Sequence, residues 1–268
     1  MAKGTPDMRA LPLFCLPLLL AASANPAAAQ EALPADLHLL PASADTKPRP
    51  WAILFPRAEG IGKLAPGNQY SDLAAFLNQR GIDVLIVDDD AALKRLGPSG
   101  SAGEKRAAIA IDALARLRAA QRFDRRCPGV AIGWSRGGEG ALTLASTPDG
   151  PESGFRAAIV YYPSVRSQRS PWPQRMPVLA LQGTEDGTAP AKRLEALAAT
   201  RVQNPKYPFI IKLYPGAGHR FDVAHPVDDP DSASAPRDYR AAAHTAALEA
   251  IDGFLTERAI SSASCALD

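Results

Sequence analysis

The chain has 268 residues, 46% of them apolar and 22% charged, with 30 lysines and arginines against 28 acids and a formal net charge of +2. That composition is ordinary for a folded globular protein, and the interspersed charges give no electrostatic footprint for nucleic acid. Three cysteines and four histidines fall in no ligand-like spacing, so neither a metal nor a cofactor is expected.

Lys3 and Arg9 make a positive start, and the run from Leu11 to Ala22 is apolar but too short to span a membrane as a helix. Ala27-Ala28-Ala29 before Gln30 is a small-residue cleavage pattern. Residues 1–29 are therefore expected to be a signal peptide, cleaved after Ala29, giving a periplasmic or secreted protein without membrane contact. Cys15 sits in the apolar run without a lipoprotein signal. Roughly 240 residues then remain, enough for one domain with a sizeable core. We read 30–48 as an N-terminal segment, 49–258 as the domain and 259–268 as a loose tail. Export would leave Cys127 and Cys265 in an oxidising compartment, where leftover cysteines often pair; the sequence leaves open whether they do.

The predicted elements alternate. Trp51-Ala52-Ile53-Leu54-Phe55 reads as a strand, Leu73, Phe76 and Leu77 mark an amphipathic helix, and 82–87 is an apolar strand ending in Asp88-Asp89-Asp90, read as a solvated strand end. Ile111, Leu114 and Leu117 mark a second helix. A strand end at Val130-Ala131-Ile132 meets Gly133-Trp134-Ser135-Arg136-Gly137, and a helix begins at Gly138. Strands follow at 157–161, 178–182 and 209–214. Leu194 and Leu197 lie in one helix, and Leu248, Ile251, Phe254 and Leu255 form the stripe of the last. Loops at 163–177 and 221–236 are rich in proline, and neither is long enough for a folded lid. Repeated β then α with apolar strands predicts an α/β fold: a mainly parallel sheet with helices on both faces and no substantial lid.

The chemistry-bearing residues lie just past strand ends. A Gly-x-Ser-x-Gly turn between strand and helix exposes its serine above the sheet, because larger neighbours would clash with strand and helix. Ser135 is the candidate nucleophile. The strand 178–182 ends in Gly183-Thr184-Glu185-Asp186-Gly187, and the strand 209–214 ends in Pro215-Gly216-Ala217-Gly218-His219. Serine, then acid, then histidine is the chain order of the α/β-hydrolase triad. A hydroxyl needs an imidazole to take its proton, and the imidazole needs a buried carboxylate to fix its tautomer. Asp186 is preferred to Glu185 by its spacing from Gly183. His219 is preferred to His225 because a strand delivers it; His38 lies close after the leader and His244 in the last helix. Acyl transfer also needs two oxyanion donors. The backbone N–H groups of Arg136, after the nucleophile, and of Ala58, after the strand 51–55, are the candidates. Trp134, Arg136 and Arg57 are expected at the pocket mouth, where the two arginines either attract an anionic substrate or are simply exposed beside the turns, and Tyr161, Tyr162 and Trp172 either line an apolar pocket or simply pack.

The motifs 133–138, 183–186 and Tyr214-Pro215-Gly216-Ala217-Gly218-His219-Arg220-Phe221-Asp222, with softer matches at 70–77 and 81–88, resemble the dienelactone hydrolase family of α/β-hydrolases. The resemblance spans most of the chain after the leader. It implies a single-domain, cap-poor hydrolase with the triad Ser135, Asp186 and His219. Three departures separate the chain from the family's namesake. That enzyme uses a cysteine nucleophile where this chain has Ser135. It carries a His-Glu pair where this chain has Pro56-Arg57. It has an arginine that helps hold the substrate carboxylate where this chain has Val223. These differences argue for a serine esterase acting on small soluble carboxylic esters through an acyl-enzyme. A peptidase or amidase with the same triad and a dienelactone-type lactone hydrolase are the alternatives. A non-catalytic secreted binding protein of this fold is disfavoured by the intact triad. Oligomeric state is not legible.

Overall fold

The computed structural model describes Met1 and residues 33–45, 47–89, 93, 100–202, 204–225 and 238–265. The chain divides into Met1–Glu31 and Ala32–Asp268. The expected signal peptide and its cleavage point, and the 221–236 loop beyond 225, lie outside the described residues.

Among the described residues the second unit is built on one seven-stranded sheet. Its strands are β1 (Leu37–Leu40), β2 (Trp51–Phe55), β3 (Asp83–Val87), β4 (Gly129–Trp134), β5 (Phe155–Tyr161), β6 (Val178–Gly183) and β7 (Phe209–Tyr214). The spatial order is β1-β3-β2-β4-β5-β6-β7. Only the β1–β3 pair is antiparallel, with Leu37 opposite Val87 and Leu40 opposite Val84. β1 was not expected as a strand: its sequence, LHLL, is too short to show a period, and pairing with the edge of β3 decides its conformation.

The central strands are buried throughout because helices cover both faces. Successive side chains alternate between the two cores. Trp51, Ile53 and Phe55 join one core, with Leu114, Leu117, Leu142 and Leu194. Those come from α2 (Ala102–Ala119), α3 (Arg136–Leu144) and α5 (Ala191–Ala199), numbered with the short α4 (Asp149–Glu152) between. Ala52 and Leu54 join the other core, with Leu73 and Leu77 of α1 (Gln69–Asn78) and Ile251 and Phe254 of α6 (Ala241–Glu257). Each of the leucine, isoleucine and phenylalanine side chains contributes about 1.5–3 kcal/mol by leaving water. Capping fixes two helix starts. Asn68 accepts from the N–H groups of Tyr70 and Ser71, and Ser101 forms a reciprocal box with Glu104.

Two further expectations are corrected. Residues 259–268 are not a loose tail as far as they are described: Ile260 is buried, and Cys265 is disulfide-bonded to Cys127. The Asp88-Asp89-Asp90 run is not wholly a solvated strand end, because Asp89 is buried against the guanidinium of buried Arg106. A buried carboxylate needs such a partner to remain charged.

The strand order turns back on itself between β2 and β4, the position where open α/β sheets form a crevice beyond their carboxyl ends. Register aligns those ends. Phe55 is opposite Gly133, Trp134 opposite Tyr161, and Gly183 opposite Tyr214.

Candidate active site

β4 runs without a break into α3, and the turn between them is very tight. A Cβ on Gly133 would lie 2.4 Å from the carbonyl oxygen of Gly137, and one on Gly137 would lie 2.1 Å from that of Phe55. Both positions therefore exclude any side chain. Ser135, at the apex, has φ 51° and ψ −112°. Such a conformation costs a non-glycine residue about 1–3 kcal/mol and persists only where its surroundings enforce it. Three backbone bonds do so: Ser135 N–H to Tyr161 O at 3.0 Å, Gly138 N–H to Ser135 O at 3.1 Å, and Ser164 N–H to Ser135 O at 2.9 Å.

The structure brings Ser135, His219 and Asp186 into one chain of contacts. His219 Nε2 lies 3.0 Å from Ser135 Oγ, and His219 Nδ1 lies 2.8 Å from Asp186 Oδ2. The loops bearing the acid and the histidine are joined by Thr184 N–H to Tyr214 O at 3.1 Å and Glu185 N–H to Ala217 O at 3.0 Å. The Asp186 side chain is fully buried, while Glu185 is exposed. Asp186 also accepts from Gln182 Nε2 at 3.0 Å and from the N–H groups of Thr188 at 2.8 Å and Ala189 at 2.7 Å. Burial alone would raise its pKa. The hydrogen bonds from His219, Ala189 and Gln182 outweigh that, and the carboxyl is held below its ordinary value. Among the described residues the hydroxyl of Ser135 is hydrogen-bonded to His219. His38 lies on β1 and His244 on α6.

The two candidate oxyanion donors sit at the ends of paired strands. Arg136 opens α3, and the first N–H groups of a helix have no intrahelical acceptor. In the loop after β2, the Arg57 N–H is taken by Tyr70 Oη at 3.1 Å, and Gly60 N–H donates to Arg57 O at 3.1 Å. Among the described residues the N–H groups of Arg136 and Ala58 have no hydrogen-bond partner.

Trp134 and Arg57 do not flank a pocket mouth. Trp134 is buried, stacked on Tyr161 at 5.1 Å and edge-on to Tyr70 at 5.1 Å, and its Nε1–H donates to Asp222 at 2.7 Å. Arg57 is also buried, paired with Glu59 at 3.1 Å and bonded to Gln69 at 2.9 Å. Tyr161, Tyr162 and Trp172 are all buried and pack in the two cores. The open space beside Ser135 is a cavity of about 630 Å³ between α2, the start of α3, the loop after β5 and the start of α5. Sequence reading placed Arg136 at the mouth but missed the contributions of α2, α5 and the loop after β5, and it missed the role of Asp222. Burial pushes the Asp222 carboxyl above its ordinary value, and the bonds from Tyr162 and Trp134 offset this only in part. One signal was available, since a buried tryptophan needs an acceptor for its N–H.

Comparison with known proteins bears on the same elements. The model of the dienelactone hydrolase family matches residues 87–258. No curated protein matches the chain. Solved structures of a thermophilic esterase from the planctomycete Thermogutta terrifontis are similar in fold. The propionate-bound form is 20% identical over 84% of this chain and 89% of that one, with a TM-score of 0.56. The native form is 19% identical over 84% and 88%, at 0.57. The form phosphoramylated by tabun is 21% identical over 84% and 89%, also at 0.57.

Proposed function

The chain belongs to the dienelactone hydrolase family, and from that premise we propose that it is a serine hydrolase of carboxylic esters acting through an acyl-enzyme. The observation that carries this is the unbroken path from Ser135 Oγ through the His219 ring to buried Asp186. A carboxylate only accepts, so the His219 proton sits on Nδ1 and the Nε2 lone pair faces the serine hydroxyl. His219 takes the hydroxyl proton as Oγ attacks the ester carbonyl. The tetrahedral oxyanion is held by the N–H groups of Arg136 and Ala58, each worth about 2.7–4 kcal/mol in comparable sites. His219 then passes the proton to the departing alcohol. In the second half-reaction it takes a proton from water, which attacks the acyl-serine, and returns that proton to Ser135 Oγ as the acid is released.

Small soluble esters are the proposed substrates. The Thermogutta terrifontis esterase was captured with propionate and with butyrate, which supports short acyl chains. Amides and lactones remain the competing substrate classes. A panel of aryl esters, aminoacyl amides and dienelactone, run with and without a serine-directed aryl phosphonate, separates them. Ester turnover abolished by the phosphonate is the expected result, and amide or lactone turnover exceeding that of every ester would assign the site to the competitor. We further propose that the protein works in the periplasm or outside the cell. The leader-like residues 1–29 and the Cys127–Cys265 disulfide support this. Mass spectrometry of native material should find Gln30 at the amino terminus.

A further inference from the structure

The cavity beside Ser135 has a lopsided charge. Five of its lining residues are cationic: Lys105 and Arg106 on α2, Arg136 on α3, Arg166 in the loop after β5, and Arg193 on α5. Among the described residues its lining contains one carboxylate, Glu139, which is buried and accepts from Ser164 Oγ. Arg106 is matched by Asp89. Among the described residues, Arg136, Arg166 and Arg193 have no ion-pair partner. The whole chain is almost balanced in charge, at a formal +2, so this convergence from four separate elements is not a matter of composition. A concave site lined by one sign of charge focuses its field and concentrates the opposite ion. Guanidinium groups also match carboxylate and phosphate oxygens in pairs of hydrogen bonds. The volume, about 630 Å³, lies within the range of small-molecule sites.

We propose that this cavity receives the anionic part of the substrate, so that the preferred esters carry a carboxylate or a phosphate on their acyl or alcohol side. The inference rests on the esterase reading of Ser135 and deepens it. The cations lie on α2, α3, α5 and the β5 loop, whereas the residue after the histidine loop that aligns with the namesake's carboxylate-binding arginine is buried Val223.

Matched esters test it. On the acyl side, para-nitrophenyl pentanoate is compared with para-nitrophenyl glutarate. On the alcohol side, the pentanoyl ester of para-hydroxybenzamide is compared with those of para-hydroxybenzoate and para-hydroxyphenyl phosphate. At low ionic strength kcat/KM should favour at least one anionic ester over its neutral partner by about tenfold, and high sodium chloride should shrink that ratio. The double variant Arg166→Gln, Arg193→Gln should bring the ratio close to one. Equal rates for neutral and anionic esters in the wild type would overturn the inference and leave the esterase reading standing. A preference that survives both salt and the double variant would also overturn it. Hydrolysis of none of the five would remove the esterase reading itself.

Discussion

The indole N–H of Trp134 donates to Asp222 Oδ2 at 2.7 Å in a fully buried site, tying the residue before the nucleophile to the loop that carries His219. The second oxygen of Asp222 accepts from Tyr162 Oη at 2.8 Å, and the Tyr162 ring lies 4.6 Å from that of His219. One carboxylate therefore fastens the ends of β4 and β5 to the histidine loop. Asp222→Ala leaves two buried donors unsatisfied, each costing about 1–3 kcal/mol. Urea unfolding should show a loss of at least about 2 kcal/mol. Trp134→Phe keeps the ring packing but removes one donor, and should cost less than Asp222→Ala. An unchanged unfolding midpoint in Asp222→Ala would contradict this role.

The partners of Ser135 should rank by their contacts. His219→Ala should cripple ester turnover, while His225→Ala should leave most of it. Asp186→Asn should lower kcat on the order of 10⁴-fold, as loss of the buried acid does in comparable triads, whereas Glu185→Gln, at an exposed position, should change little. Steady-state kinetics on the four purified variants decide the order. A larger loss in His225→Ala, or in Glu185→Gln, would reassign that role.

Acid should destabilise the fold partly through Asp186. Its folded pKa lies below the ordinary value of 3.8, so the unfolded chain takes up the proton first as pH falls. The stability it contributes is therefore complete above that value and is lost as pH drops through the lower, folded pKa. Thermal unfolding of Asp186→Asn should show a flatter acid limb than the wild type. Parallel limbs in the two proteins would remove Asp186 from the acid response.

Reduction should loosen the carboxyl-terminal segment. The Cys127–Cys265 bond closes a loop across a separation of 138 residues, and such links typically contribute about 2–4 kcal/mol. A reductant, or Cys265→Ser, should lower the unfolding midpoint accordingly. An identical midpoint with and without reductant would show that the bond contributes nothing to stability.

The parts of this molecule that were legible from sequence are those where local pattern and global position agree. The apolar runs at 51–55, 130–132 and 178–182 read as strands and lie within β2, β4 and β6, and the glycines around Ser135 announce a turn that no side chain could enter. The three residues of the triad follow strand ends in a fixed order, so chain position alone nominated them. What failed depends on where a side chain points in three dimensions. Trp134 and Arg57 neighbour the expected site in sequence, yet strand alternation turns Trp134 inward to Asp222, and Arg57, in the loop after β2, is buried against Gln69 and Glu59. The cationic wall gathers Lys105, Arg166 and Arg193 from distant segments, and no spacing rule connects them. The Cys127–Cys265 pairing stayed open and residues 259–268 read as a loose tail, because nothing local shows that Cys265 reaches Cys127.

The central claim is that Ser135 is the nucleophile. Its most direct test is kcat/KM for para-nitrophenyl butyrate with purified Ser135→Ala, alongside circular dichroism to establish that the variant is folded. Triad members act as a unit, so turnover should fall by several orders of magnitude with the fold intact. Wild-type turnover in the folded variant would contradict the account.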